Sequence, residues 1–199
     1  MKVALILNGE NLDTQIKEDI IICADGGYRH VVDKKVHAII GDFDSLKIKP
    51  EAENIIVLPV KKDVTDGEQA IEYCKSIGAT AISIYSFAGG RLDHQIANIH
   101  LLLKAYNLEM EAIARSKKED IYLLTSKLSI DVAIGDYISI IPCDKSCVLK
   151  TSKGLYYKTE NLELNINKIG LGISNYSVEN KVYIEILEGK ALVFHNKSK

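Results

Sequence analysis

The sequence has little net charge, few cysteines and no long apolar run. Its 25 basic and 27 acidic residues leave a net charge of −2, which gives no electrostatic reason to expect nucleic acid or an anionic membrane as a partner. The apolar run at residues 3–7 is too short to span a membrane and has no small-residue cleavage site behind it. We therefore expect a globular, cytoplasmic protein.

The cysteines do not form a metal-binding pattern. They are Cys23, Cys74, Cys143 and Cys147, and only the last two lie close together in the chain. A structural zinc site needs four Cys or His ligands, and no second pair lies nearby to complete one. We interpret all four as reduced thiols.

The motifs of the best-known phosphotransferases are also missing. The sequence has no G-x-x-x-x-G-K-[ST] segment, which excludes a P-loop kinase, and no H-R-D or D-F-G set, which excludes a protein kinase. It has no tryptophan.

The first half of the chain alternates short apolar runs with helix-like segments. Strands are predicted at residues 3–7, 20–24, 36–40, 55–58, 81–85 and 111–114, and helices at 27–32, 66–76 and 92–105. The second helix begins with a capping-box pattern, Thr65 to Glu68. In the third, Ile96, Ile99 and Leu103 recur at helical spacing and are predicted to face the core. This alternation predicts a doubly wound, mostly parallel α/β sheet.

The second half has a different character. Strand-like runs are separated by turn signals, without a helical period between them; they occur at residues 121–124, 137–141, 147–151, 155–158, 182–186 and 191–194. We predict an antiparallel β-sandwich. The expected domains are residues 1–116 and residues 117–199.

Acidic residues and glycines follow four of the predicted strands of the first half. They lie in the segments 24–27 (ADGG), 41–45 (GDFDS), 62–66 (KDVTD) and 89–94 (GGRLDH). Ligands of open α/β sheets bind outside the carboxyl ends of the strands. We therefore expect these side chains to meet at one edge of the sheet.

Carboxylates that converge would repel one another unless a cation lies between them. All the candidate ligands are oxygens, which favours magnesium over zinc. Asp42 and Asp44 are predicted to alternate in an extended segment, with Phe43 pointing the other way, so that both face one ion. Asp66, in the first turn of its helix, is the third candidate.

The glycines predict an anionic partner for that metal. Gly26 and Gly27, and also residues 89–90, are expected to precede helix starts, where backbone N–H groups favour phosphate. Arg91 can bind phosphate in a bidentate manner. A polar stripe continues along this helix at Arg91, Gln95 and Asn98. Magnesium, glycines and an arginine together indicate polyphosphate chemistry.

In this order, the segments resemble the thiamine pyrophosphokinase (thiamine diphosphokinase) family. The resemblance includes the four segments above and continues through residues 140–142 (IIP), 151–157 (TSKGLYY) and 172–175 (GISN). It therefore covers nearly the whole chain. Each motif is moderately specific, whereas the ordered set is strongly so.

The resemblance implies transfer of pyrophosphate from ATP to the hydroxyl of thiamine, with release of AMP. It also implies a homodimer, a catalytic domain that binds ATP and Mg²⁺, and a β-rich domain for thiamine binding and dimerisation. The implied metal ligands are Asp42, Asp44 and Asp66. The implied catalytic residues are these three and Arg91. The implied ATP-binding residues are Asp25, Gly26, Gly27, Thr65, Arg91, Asp93 and Asn98. The implied thiamine-binding residues are Ser174 and Asn175, and we add Tyr176 as a candidate.

One departure concerns the thiamine site. Some members place a tryptophan near thiamine, and this chain has none. An aromatic cation needs a stacking surface, which Tyr157 or Tyr176 can supply. Two alternatives stay open: a phosphotransferase of the same shape acting on another alcohol, and a non-catalytic metal–nucleotide sensor whose β half docks a protein partner.

Overall fold

A computed structural model describes residues 1–10, 12–43, 49–61 and 63–198. The chain divides into two compact units, Met1–Ser116 and Lys117–Lys199. Within the described residues, no helix has the length and apolar character needed to cross a membrane.

The first unit is built on a parallel sheet. Its strands are β1 (Lys2–Ile6), β2 (Ile20–Ala24), β3 (Ala38–Gly41), β4 (Asn54–Val57), β5 (Ala81–Tyr85) and β6 (Glu111–Arg115). They pair in the order β6-β5-β1-β2-β3-β4, and every pair is parallel. The central strands are apolar on both faces, as expected for a parallel sheet that is covered on both sides.

The strand order reverses direction at β1. The chain moves outward from β1 to β4 on one side and then returns to place β5 and β6 on the other. Open α/β sheets bind ligands at the carboxyl ends of the strands beside such a switch point, here β1 and β5. The switch point therefore lies at the same edge that the acidic segments follow.

Two α-helices pack together beside this sheet, α1 (Asp66–Ser76) and α2 (Leu92–Asn107). Helix α1 begins with the predicted capping box: Thr65 Oγ1 accepts from Glu68 N, and Glu68 Oε2 accepts from Thr65 N at 2.8 Å. The structure confirms that strands and helices alternate in the first half of the chain.

The predicted core face of α2 is correct only in part. Ile96 is 49% exposed and Ile99 and Leu103 are half-buried, whereas the buried residues of this helix are Leu101, Leu102 and Ala105. Asn98 lies on the side of the buried residues, and its Nδ2 donates to Phe87 O at 2.9 Å. This hydrogen bond to the loop after β5 accompanies a core face that is rotated away from Ile96.

A second apolar cluster contains residues of strands β1, β2, β3 and β5. It includes Tyr28 and Val31 from a 3-10 helix at Asp25–His30 and the segment that follows it. The predicted helix at 27–32 is therefore a short 3-10 helix that begins at Asp25, directly after β2.

The second unit contains two antiparallel sheets. Its strands are β7 (Glu119–Leu124), β8 (Lys127–Asp131), β9 (Tyr137–Pro142), β10 (Ser146–Lys153), β11 (Leu162–Asn165), β12 (Asn175–Tyr176), β13 (Lys181–Glu188) and β14 (Ala191–Asn196). One set runs β12-β9-β14-β7 and the other β11-β10-β13-β8. Side chains of both sets form one buried core. The expected antiparallel second half is confirmed.

Two details of the second half differ from the prediction. Residues 155–158 do not form a strand; Leu155 makes an isolated bridge with Ser177. Strands β8, β11 and β12 were not predicted. All three are short or partly polar, and the partners of β8 and β12 lie far away in the chain, so that periodicity alone does not reveal them.

Candidate active site

The exits of β5, β1, β2 and β3 pack side by side at the carboxyl edge of the first sheet. Gly9, after β1, donates its N–H to Ser86 O at 2.8 Å, and a Cβ on Gly9 would lie 2.1 Å from that oxygen. A Cβ on Gly26 would lie 2.4 Å from Asn8 Oδ1. These glycines allow neighbouring exits to approach closely. For Gly26 this is a packing role, and the expectation that Gly26 and Gly27 precede a helix start is wrong, because the 3-10 helix begins at Asp25.

Asp25 lies against the exit of β3. Asp25 is only 9% exposed. A Cβ on Gly41 would lie 2.9 Å from both the Cα and the Cβ of Asp25. Asp42 follows Gly41 directly. The structure therefore brings the carboxylate-bearing ends of β2 and β3 together, as the sequence predicted.

Left-handed backbone is concentrated at these exits. Asp25 has φ 43°, Phe43 has φ 62° and Ser86 has φ 51°, and these residues follow β2, β3 and β5. Non-glycine residues adopt this conformation at a cost of about 1 kcal/mol or more, and such residues cluster at ligand sites. The strained positions mark the same edge as the switch point.

The predicted extended segment around Asp42 is wrong at Phe43. Strand β3 ends at Gly41, and the left-handed Phe43 packs its ring against the second apolar cluster of the sheet. Asp44 lies outside the described residues. Whether Asp42 and Asp44 face one ion stays a prediction.

Thr65 and Asp66 mark the start of α1. The hydroxyl of Thr65 accepts from Glu68 N at 3.2 Å and lies 3.1 Å from Glu68 Oε2, so the capping box uses both its donor and its acceptor. Asp66 is half-buried in the first turn. A negative side chain there is stabilised by the helix dipole.

The segment before α2 presents an exposed ion pair. Gly89 and Gly90 have φ values of 93° and 73°, and Arg91 is the N-cap of the helix. Arg91 Nη2 lies 2.5 Å from Asp93 Oδ2, and the two side chains are 74% and 63% exposed. The hydrogen bond from Arg91 lowers the pKa of Asp93. Because exposed pairs contribute little to stability, Arg91 can exchange this partner for a phosphate.

Sequence reasoning missed a contribution from the exit of β1. Glu10 Oε1 accepts from Gly90 N at 3.1 Å, and a Cβ on Gly89 would lie 2.2 Å from Glu10 Cγ. Arg29 Nη2 donates to Gly9 O at 2.7 Å. The missed signal was the segment 8–10 (NGE), a polar residue, a glycine and an acid directly after a strand, like the exits that were recognised.

The donor set fits a hard cation better than a soft one. Cys23 lies on β2, two residues before Asp25. Burial raises the pKa of its thiol, so that Cys23 stays protonated and offers no thiolate to a metal. The remaining donors are carboxylate oxygens, which magnesium prefers. Within the described ranges, which omit Asp44, no three His, Cys, Asp or Glu side chains are grouped closely enough to hold a metal.

The second unit carries a cluster of tyrosines, which we call the tyrosine patch: Tyr156, Tyr157 and Tyr176. Tyr156 and Tyr176 are stacked with ring centroids 4.6 Å apart, and Tyr157 meets Tyr156 edge-on at 5.0 Å. Tyr156 and Tyr157 are 56% and 60% exposed. The patch is an aromatic surface open to an aromatic or cationic ligand.

Asn175 holds this patch together. Its Oδ1 accepts from Tyr157 N at 3.0 Å and from Tyr176 N at 2.9 Å, and its Nδ2 donates to Tyr157 O at 2.8 Å. Its neighbour Ser174 is exposed, has φ 59°, and donates its N–H to Ser139 Oγ at 3.1 Å. The buried Asn175 amide therefore fixes the backbone of Tyr157 and Tyr176. The Ser174 side chain is exposed beside them.

Two family models match the chain in order. The model described as Thiamin pyrophosphokinase, catalytic domain, matches residues 13–114. The model described as Thiamin pyrophosphokinase, vitamin B1 binding domain, matches residues 125–190.

The chain belongs to the thiamine pyrophosphokinase family. This confirms the resemblance in the sequence. Thiamine pyrophosphokinases are transferases, so the protein is an enzyme.

Related proteins agree with this assignment. Thiamine pyrophosphokinase of Bacillus subtilis (strain 168) is 27% identical over 158 residues, which cover 75% of this chain and 73% of the relative. Thiamin pyrophosphokinase 1 of Caenorhabditis elegans is 24% identical over 208 residues, covering 96% and 83%. The crystal structure of thiamine pyrophosphokinase from Bacillus subtilis matches with a TM-score of 0.87 at 22% identity and covers 100% of both chains, which establishes the shared fold.

Proposed function

We propose that the protein transfers the terminal pyrophosphoryl group of ATP to the hydroxyl of thiamine, forming thiamine diphosphate and AMP. The observation that carries the proposal is the ordered match of both thiamine pyrophosphokinase domains, one in each unit. The acidic edge of the first unit and the tyrosine patch of the second supply the two kinds of surface that the reaction needs.

We assign nucleotide binding to the carboxyl edge of the first sheet. Asp42, Asp44 and Asp66 are the proposed ligands of a magnesium ion, which when bound neutralises charge on the phosphate oxygens. The proposed contacts to ATP are Asp25, Gly26, Gly27, Thr65, Arg91, Asp93 and Asn98. The exposed ion pair before α2 supports a phosphate contact for Arg91, since the guanidinium can leave Asp93 at little cost.

Some of these residues also shape the site. The Asn98 amide donates to Phe87 O and the Thr65 hydroxyl caps α1, so we assign both a further role in orienting the loop and the helix that meet the nucleotide. Gly26 and Gly27 leave room for neighbouring strand exits and offer backbone groups only.

We assign thiamine binding to Ser174, Asn175 and the tyrosine patch. Thiamine carries a cationic aromatic ring, and stacking against tyrosine stabilises such a ring by about 1–2 kcal/mol when it is desolvated. The patch supplies this surface in a chain that has no tryptophan. Asn175 supports the patch through three hydrogen bonds, and Ser174 offers an exposed polar group beside it.

The chemistry is a direct displacement at phosphorus. The thiamine hydroxyl oxygen forms a bond to the β-phosphorus of ATP while the bond from that phosphorus to the α,β-bridging oxygen breaks. AMP leaves with that oxygen, and the hydroxyl proton passes to solvent. Positioning and charge neutralisation account for most catalysis in such transfers. We propose that Arg91 stabilises charge on the transferred group.

The assembly is proposed to be a homodimer. Ile166, Ile169 and Leu171, on a 3-10 segment of the second unit, are 52%, 44% and 63% exposed. An exposed apolar patch of this kind marks an interaction surface, and a second copy is the occupant we propose. Light scattering should give twice the chain mass, and Leu171→Glu should shift the protein toward monomer. An unchanged mass for the variant would exclude this surface as the interface.

A cytoplasmic location is proposed from the thiols. All four cysteines lie within the described residues and are unbridged. Burial raises the pKa of Cys74 to about 12 and that of Cys147 to about 11, which keeps them protonated and unreactive.

The test of the activity is a product assay. The protein is incubated with ATP, Mg²⁺ and thiamine, and nucleotides and thiamine phosphates are separated by chromatography. We expect AMP and thiamine diphosphate in equal amounts, and no AMP without thiamine. Formation of ADP with another alcohol would favour a different phosphotransferase, and nucleotide binding without turnover would favour a sensor.

A further inference from the structure

A buried acid–histidine pair lies in the second unit, outside the residues assigned above. His195 Nε2 and Asp136 Oδ2 are 2.6 Å apart, and the two side chains are 5% and 4% exposed. The Asp136 carboxylate also accepts from Ala133 N at 2.9 Å and from Ser198 N at 2.6 Å. Burial by itself raises the pKa of Asp136, but these hydrogen bonds outweigh it and the pKa is lowered. Asp136 is thus an ionised acceptor, and His195 donates through Nε2.

The same turn holds the strand that carries Tyr176. Ser177 N donates to Asp136 O at 2.9 Å, Gly135 N donates to Ser177 O at 2.9 Å, and Ser177 Oγ donates to Ala133 O at 2.5 Å. Ser177 is fully buried and follows Tyr176 directly. The turn at residues 133–136 is therefore hydrogen-bonded to Ser177, the residue next to Tyr176 of the tyrosine patch.

Strand pairing connects His195 to the same place. On β14, His195 pairs with Ile138 of β9, and Ile138 pairs on its other side with Asn175 of β12. Across β12, Tyr156 N donates to Tyr176 O at 2.9 Å. The histidine, the aspartate and the patch thus form one continuous set of hydrogen-bonded neighbours within the second unit.

Stability alone does not explain a buried carboxylate–histidine pair at this point. Replacing such a pair by apolar residues of similar volume is often neutral or stabilising, whereas a pair with defined hydrogen bonds selects one geometry. His195 Nδ1 is buried and meets no hydrogen-bond partner among the described residues, so the bond to Asp136 is the hydrogen bond that orients the ring. The pair is suited to fixing the position of the turn.

We propose that Asp136 and His195 are positioning residues for substrate binding: they fix the turn at 133–136 and so hold Tyr176 in the stacked patch that receives an aromatic cation. This inference rests on the proposed function, because thiamine is the aromatic cation concerned. Neither residue touches the substrate. Their effect is on the affinity for thiamine and not on the affinity for ATP.

The test compares His195→Leu with His195→Gln, which keeps a donor for Asp136. Steady-state kinetics should show KM for thiamine raised about tenfold in the leucine variant, the size of one lost stacking contact, with KM for ATP within about twofold of wild type. The glutamine variant should recover most of the loss. Thiamine binding can also be followed by tyrosine fluorescence, since the sequence has no tryptophan.

A matched control separates positioning from general destabilisation. Ile186 is buried in β13 of the same unit and pairs with Leu149, away from the turn. Ile186→Ala should lower Tm and leave both KM values unchanged. If His195→Leu does not fold, Asp136→Asn decides, since an amide cannot accept all the bonds of the carboxylate; the same selective rise in KM for thiamine is expected.

Two outcomes overturn the inference: a wild-type KM for thiamine in a folded variant, or equal rises in KM for both substrates. Both are distinct from failure of the proposed function. That failure would appear as wild-type protein releasing no AMP in the presence of thiamine, whereas failure of the inference leaves wild-type turnover intact.

Discussion

The two candidate sites are built in different ways. At the edge of the first sheet, backbone shapes the site: glycines let strand exits approach, and left-handed residues turn the chain at Asp25, Phe43 and Ser86. In the second unit, side chains shape the site. The Asn175 side chain accepts hydrogen bonds from the backbone of Tyr157 and Tyr176, and the buried pair of Asp136 and His195 lies at the turn beside them. The first arrangement suits phosphate and metal, which are bound by charge; the second suits a flat ring, which needs a preformed surface.

The largest expected effect comes from the charge at the sheet edge. Asp42→Asn removes one carboxylate next to the exit of β3 and should lower kcat about 100-fold or more, with Tm unchanged. Asp131→Asn, at a side chain 89% exposed in the second unit, is the control and should retain wild-type turnover. Near-normal kcat for Asp42→Asn would remove the metal assignment.

The next effect tests whether backbone shape matters at this edge. Gly41→Ala would place a Cβ 2.9 Å from Asp25 and push the two strand exits apart. Because small misplacements of reacting groups are costly, kcat should fall about 10- to 100-fold. At Gly170 a Cβ would meet nothing within 4 Å, so Gly170→Ala is the matched control. Equal kinetics for the two variants would contradict the proposed contact.

A smaller effect is expected from the aromatic surface. Tyr176→Leu removes one of the two stacked rings and should raise KM for thiamine about tenfold, while KM for ATP stays constant. Tyr106→Leu, at a tyrosine 43% exposed on α2, controls for loss of a surface ring. If the two variants bind thiamine equally, the patch is not the thiamine surface.

The smallest effect concerns the start of α1. Thr65→Ala loses the capping box and should cost about 1 kcal/mol of unfolding free energy, measured by urea denaturation, while Thr65→Ser should keep it. A rise in KM for ATP without loss of stability would mean instead that the hydroxyl mainly contacts nucleotide.

The sequence predicted the first unit better than the second. Strands β2 and β5 and helix α1 lie at the predicted residues, because buried parallel strands are continuous apolar runs and a capping box marks a helix start. The inward face of α2 was predicted only in part, and hydrogen bonds from Asn98 and Gln95 to the preceding loop accompany its rotation away from Ile96.

Long-range partners explain what was missed. Asp136 and His195 are 59 residues apart in the chain, and Glu10 and Gly90 are 80 apart, so no local pattern links them. The tyrosine patch was predicted in part: Tyr157 and Tyr176 were candidates, whereas Tyr156 joins them through tertiary contacts, the hydrogen bond to Tyr176 O and the bridge between Leu155 and Ser177. Local periodicity identifies strand exits, whereas tertiary pairing assembles the tyrosine patch.

The central claim is that the aspartates at the edge of the first sheet grip a triphosphate through a divalent ion. Calorimetric titration of wild-type protein and Asp42→Asn with ATP, each with and without Mg²⁺, tests it directly. We predict that wild-type protein binds ATP tightly only with Mg²⁺ and that the variant loses at least about tenfold in that affinity. Equal affinities for the two proteins, or binding that ignores Mg²⁺, would contradict the account.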